Sequence, residues 1–177
     1  MGWANAPMLS PMTASIRPST AADLDLHTRH RIGMFKDMAM ADDAAVQRMS
    51  DRFRIWLLPR LVSGEVRGWV LEDYGVAIGS ALLWLREQLP VPVTELDLRG
   101  QVFNVFVEPA HRGHGHARLL MERVELDAVA WGLQILELHA SKDAEKLYQS
   151  MDYEPTSEMR KVISEQVAVP HQWKDRR

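Results

Sequence analysis

Residues 101–117 read QVFNVFVEPAHRGHGHA, and this stretch decides the fold. Gln101–Val107 is a near-continuous apolar run, which predicts a central strand covered on both faces. Pro109 ends it, and a turn carrying Gly113 and Gly115 opens an amphipathic helix over roughly 115–131. Ala117, Leu120, Met121, Val124, Ala128 and Trp131 form its buried stripe. The glycines let the backbone turn without a Cβ penalty and come close to a ligand. The first amides of a helix lack internal acceptors and sit at the positive end of its dipole. Strand, turn and helix together therefore make a cradle for phosphate oxygens, with Arg112, and His114 and His116 when protonated, adding local positive charge. It is not a dinucleotide fingerprint, because Arg118 stands where a third glycine is needed, and no Gly-Lys-Ser/Thr makes it a P-loop.

Upstream, residues 15–18 are extended and Thr20-x-x-Asp23 predicts a capped helix running to about Met40. A second helix begins after Asp42 or Asp43, with Val46, Met49, Phe53 and Trp56 on one face and Pro59 limiting its length. Segments 66–72 and 76–85 predict a hairpin across Asp73-Tyr74-Gly75. Downstream, Gly132 caps the long helix, 133–139 predicts a strand, and Ser141 caps a short helix with Ala144, Leu147, Tyr148 and Met151 buried. Pro155 precedes a last strand near 158–163, whose open edge suits homodimerisation. The expectation is one mixed α/β domain over 15–163, between an N-terminal extension (1–14) and a C-terminal tail (164–177).

The 177-residue chain carries a net charge of −3, too balanced for a protein that coats nucleic acid or a membrane surface. It has no cysteine, which excludes disulfides, thiolate metal sites and a cysteine nucleophile. No apolar window is long enough to span a membrane, and MGWANAPMLSPMTAS lacks a secretory pattern. Ala6 stands where a myristoylation motif wants Ser or Thr. A cytoplasmic protein without nucleic-acid or membrane partners is expected. No metal is expected either, since no carboxylate completes a site with His27 and His30.

Arg112-x-x-Gly115-x-Ala117 resembles the Gln/Arg-x-x-Gly-x-Gly/Ala signature of the Gcn5-related N-acetyltransferases, the GNAT family. LYQSMDYEP (147–155) is similar to that family's Leu-Tyr-x-x-x-Gly-Phe motif, with Asp152-Tyr153 replacing Gly-Phe. IRPSTAADL (16–24) resembles the family's first strand and helix, so the likeness covers about residues 15–163. RHRIGMFKDM (29–38), LHAS (138–141) and EPTSEMR (154–160) resemble a bacterial subgroup of unknown acceptor.

The resemblance implies a mixed, mostly antiparallel sheet flanked by helices, whose central strands 101–107 and 134–139 splay around acetyl-CoA. It implies that the backbone of Val105, Phe106 and Val107 pairs with the pantetheine arm. Amides among Arg112, Gly113, His114, Gly115, His116 and Ala117 would receive the pyrophosphate, with Ser141 nearby. The implied reaction is direct attack of a primary amine, on a small molecule or peptide, on the thioester in a ternary complex. Tyr148 is the implied general acid, although its place on an apolar stripe also fits a core residue.

The base is left open. Gln101 aligns with a glutamate of some members, but an amide positions water without accepting its proton. Asn104 can orient water or acceptor, and Glu108 lies past the strand. His139 reads as a proton relay or as a satisfied strand-end histidine. Bulk solvent or a water chain also serves. Arg29, Arg31, Phe35 and Asp37 are acceptor-pocket candidates, Arg31 suiting an acidic acceptor and Asp37 a cationic amine. The missing glutamate at 101 and the Asp152-Tyr153 departure leave a non-catalytic acyl-CoA sensor as the alternative function.

Overall fold

The structure, a computed structural model, describes residues 14–164. The expectations for 1–14 and 164–177 lie outside these residues, apart from Ala14 and Ser164. In chain order the elements are β1 (Ser15–Pro18), α1 (Leu24–Asp37), α2 (Asp43–Ser63), β2 (Val66–Asp73) and β3 (Val76–Glu87). They continue with β4 (Leu98–Val107), α3 (His116–Ala130), β5 (Leu136–Leu138) and α4 (Glu145–Gln149).

Local chemistry accounts for most boundaries. Thr20 and Asp23 form the expected capping box, and the Asp23 carboxylate accepts from the Thr20 amide at 2.7 Å. Arg17 on β1 pairs with the same carboxylate at 2.7 Å and, foremost among the causes, holds its pKa down to about 2. A short 3-10 turn separates this cap from α1, which stops at Asp37 rather than Met40 because the chain reverses at Ala39 (φ 48°). Asp42 caps α2 by accepting from the Ala45 amide at 2.7 Å. Pro59 does not end α2, which runs on to Ser63. The bond that proline cannot give is owed to Ile55, whose side of the helix faces solvent (77% exposed), where an unmade helix bond costs least. Tyr74 and Gly75 both adopt positive φ (47° and 77°) and close the β2–β3 hairpin.

The five strands lie in sequence order, antiparallel from β1 to β4, with β5 joining β4 in parallel. The apolar face of α3 covers one side of the sheet through Leu120, Met121, Val124 and Ala128, against Trp69, Leu71, Leu83 and Val102. Helices α1 and α2 cover the other, where Phe53 and Leu57 meet Val66 and Leu82. Gly33 lets α1 lie close on β4: a Cβ there would fall 2.7 Å from the Phe106 ring.

Two expectations are corrected. β5 is only three residues long, because Leu133 is spent closing the end of α3, its amide donating to the Ala128 carbonyl at 3.0 Å. Residues 158–163 form no strand, and Met159 and Ile163 are almost fully exposed. The dimerisation edge expected there is therefore absent among the described residues. Among these residues no helix is long and apolar enough to cross a membrane.

Candidate active site

β4 is hydrogen-bonded to β3 along its length but to β5 only opposite Gly100, Gln101 and Val102. From Phe103 onward its β5 side has no strand partner among the described residues, so the two strands open into a wedge. At the mouth of the wedge β4 bulges. Leu82 pairs with Phe103 and Ser80 with Phe106, which leaves Asn104 and Val105 both opposite Ala81. Asn104 takes a left-handed conformation (φ 56°) to allow this.

Beyond the wedge the chain makes a short 3-10 turn, passes Gly113 and Gly115 at φ 78° and 80°, and enters α3 at His116. Both glycines hold a conformation that side-chain-bearing residues rarely adopt, and open space surrounds the position of a Cβ at each. The first-turn amides of α3 thus face outward with no helical acceptor. The side chains of the turn are largely committed to holding it. Arg112 Nε donates to the Val107 carbonyl at 2.8 Å, and its guanidinium pairs with Asp37 at 2.6 Å. Nδ1 of His116 and Nδ1 of His114 donate to the His111 carbonyl at 2.9 and 3.4 Å, leaving each Nε2 for a ligand.

Tyr148 on α4 is buried in the core cluster bordered by Val105 of β4, Leu138 of β5 and Ala117 of α3. That cluster reaches both strands of the wedge and the start of the helix that follows the glycine turn. Burial pushes its hydroxyl pKa up to about 12, so it is protonated throughout the neutral range. Tyr153 packs edge-on against it with ring centroids 5.7 Å apart. Asp152, where the related motif has glycine, supplies the same backbone freedom at φ 63°.

The family model for the acetyltransferase (GNAT) domain matches residues 64–155. A GCN5-related N-acetyltransferase from Ralstonia eutropha is 38% identical, superposes with a TM-score of 0.81, and is matched over 85% of this chain and 98% of its own. The chain belongs to the GNAT family. It is an acyltransferase, and acetyl transfer is the family's reaction. A predicted acetyltransferase from Clostridium acetobutylicum, solved with acetyl-CoA, has the same fold at 19% identity (TM-score 0.77; 84% and 95% of the chains). So does a glucosamine-6-phosphate N-acetyltransferase from Arabidopsis thaliana at 15% identity (TM-score 0.61; 86% and 99%). A comparison with curated proteins gives no match.

On the opposite face of the GNAT sheet lies a cavity of about 430 Å³. Helix α1 contributes Arg31, and α2 contributes Met49, Arg52, Phe53 and Trp56. Trp84 of β3 and Gln101 and Phe103 of β4 form its floor. Gln101 and His139 come together, Nε2 to Nδ1, at 3.2 Å. Gln101 Oε1 also accepts from Arg86, which fixes the amide so that Nε2 is the donor. His139 Nε2 then carries the proton and lies 3.7 Å from Glu158.

The other sequence candidates are placed elsewhere. Asn104 is buried under α1, donating to the His27 carbonyl at 3.1 Å. Asp37 faces Arg112 on the glycine-turn side, and Phe35 packs on the Arg31 guanidinium. Arg29 and Glu108 pair at 3.5 Å. The Ser141 side chain makes no capping bond, whereas its carbonyl accepts from Ala144 and Glu145.

Sequence reasoning missed the aromatic floor, Arg52, Arg86 and Glu158. Trp84 meets Gln101 through the register of β3 on β4, which single-strand periodicity does not encode. It also missed the buried link from Ser80 Oγ to His30 Nδ1 (2.7 Å), whose ring Nε2 stands 3.3 Å from Glu108.

Proposed function

We propose that the protein transfers the acetyl group of acetyl-CoA to a primary amine by direct attack in a ternary complex. The observation that carries this reading is Tyr148, buried in the core cluster that reaches both strands of the wedge and the start of α3. Past Val102 the backbone of β4 has no β5 partner, and although Arg112 takes the Val107 carbonyl, the stretch from Val105 through Phe106 to Val107 suits strand-like pairing with the pantetheine arm. The amides from Gly113 to Ala117 suit the pyrophosphate, being fixed, outward-facing donors at a helix N-terminus.

A neutral amine attacks the thioester carbonyl carbon, forming the C–N bond as the C–S bond breaks. The Tyr148 hydroxyl gives its proton to the departing sulfur. The proton lost by the nitrogen passes by way of water to His139 Nδ1, replacing the bond from the Gln101 amide, while the Nε2 proton faces Glu158, and water reprotonates the tyrosine. The raised pKa of Tyr148 keeps the proton in place until the sulfur needs it.

Incubating the protein with acetyl-CoA and a panel of primary amines, while following free thiol, tests the proposal. Amine-dependent thiol release is expected. Acetyl-CoA binding with no release across a broad panel would instead make the domain an acyl-CoA sensor.

A further inference from the structure

The cavity between α1, α2 and the sheet has a composition that reads as a recognition surface. Its floor and walls are aromatic: Trp56 meets Trp84 edge-on at 5.1 Å and Phe103 edge-on at 5.9 Å. Such rings favour a flat or bulky apolar group between them. Its charged lining residues are both cations, Arg31 and Arg52.

Arg31 is held in an unusual way. Its guanidinium lies between two rings, 4.6 Å from the Phe53 centroid and 5.1 Å from that of Phe35. Nε is buried without a hydrogen-bond partner, and none of the ion pairs among the described residues involves this side chain. Poor solvation alone lowers its pKa, to about 10. A guanidinium is normally buried beside a carboxylate, because an uncompensated buried charge is costly. The acidic groups around α1 are already engaged, Asp37 by Arg112 and Glu108 by Arg29 and His30. Arg31 therefore presents planar donors that suit a carboxylate, and the protein does not supply one.

We propose that this cavity is an acceptor pocket selective for a small primary amine bearing a carboxylate on an aromatic or bulky apolar frame. Arg31, helped by Arg52 at the rim, binds the carboxylate. The rings hold the frame, and Gln101, which lines the same cavity and touches His139, faces the amine. The volume falls in the range of small-molecule sites. The assignment of the amine end rests on the acetyl-transfer reading, whereas the carboxylate and aromatic contacts do not.

Calorimetry with three probes tests it: phenylalanine, 3-phenylpropionate, which lacks the amine, and 2-phenylethylamine, which lacks the carboxylate. Phenylalanine and 3-phenylpropionate are expected to bind about tenfold or more tighter than 2-phenylethylamine. Arg31→Met is expected to erase that preference while leaving acetyl-CoA affinity unchanged and without lowering the melting temperature, since it removes an uncompensated buried charge. Arg31→Lys, which keeps the charge, should recover part of it, and Arg52→Gln at the exposed rim should weaken it separately. Equal or tighter binding of 2-phenylethylamine, no binding of any probe, or a preference that survives Arg31→Met would each overturn the proposal. Preferential binding without thiol release would sustain the pocket and sink the transfer reading. Acetylation of 2-phenylethylamine without preference would do the reverse.

Discussion

The two flanks of β4 are built from different materials. Toward β5 and α3, the wedge and the glycine turn offer backbone groups, while the side chains of Arg112, His114 and His116 mostly brace the turn itself. Toward α1 and α2, the cavity is made of side chains drawn from four elements distant in sequence. A backbone-built site tolerates side-chain change as long as the conformation holds. A side-chain-built site changes its ligand with each substitution. The first suits a cosubstrate common to a family, and the second suits an acceptor that differs among its members.

The largest expected effect lies at the seam between the flanks. Tyr148→Phe should lower turnover about 10²- to 10⁴-fold while leaving the dissociation constant for acetyl-CoA unchanged. Steady-state thiol release together with calorimetry separates the two quantities. A variant that still turns over at near the native rate would reduce Tyr148 to a core residue.

Next comes the backbone flank. Gly115→Val forces a β-branched residue into the left-handed conformation at φ 80° and should weaken acetyl-CoA binding about tenfold or more. His114→Ala, one residue away with its backbone free to keep its course, should change the affinity less than about threefold. If the histidine mattered more than the glycine, the contrast between the flanks would collapse.

Acid should act on the side-chain flank first. Burial holds the pKa of both His27 and His30 at about 4, so each is neutral when folded. The unfolded chain takes up these protons near pH 6.5, so stability is full above that value and declines as pH falls toward 4. At pH 5 the loss is about 2 kcal/mol for His27, and His30 adds to it in the same direction. Urea unfolding at pH 7.5 and pH 5 measures it, and His27→Asn should flatten the dependence. Unchanged midpoints would mean that these imidazoles are solvated. The smallest effect is expected from His139→Asn, a severalfold drop in turnover read by steady-state thiol release.

Much of the backbone flank was legible in the sequence because its determinants are local. Gly113, Gly115 and the α3 stripe are contiguous, and Thr20 with Asp23 caps α1 within three residues. The motif departure at Asp152 resolves locally too, since aspartate can adopt the conformation that glycine would otherwise supply. The side-chain flank was largely hidden. Arg31 could be singled out, but nothing in its own stretch of chain says that Asp37 turns away to Arg112 while Phe53 stacks on the guanidinium. The short β5 and the 158–163 segment, which forms no strand, were misread for a related reason. Alternating apolar residues mark a segment able to pair, and pairing itself depends on which edge is within reach.

On the acetyl-transfer reading, fixed backbone groups in the wedge and the glycine turn hold the acetyl donor. Amide hydrogen exchange with and without acetyl-CoA tests it most directly. Slowed exchange is expected in Val105–Val107 and in residues 113–118, with α1 and α2 unaffected. Protection confined to α1 and α2, or unchanged exchange in the wedge at saturating acetyl-CoA, would contradict it.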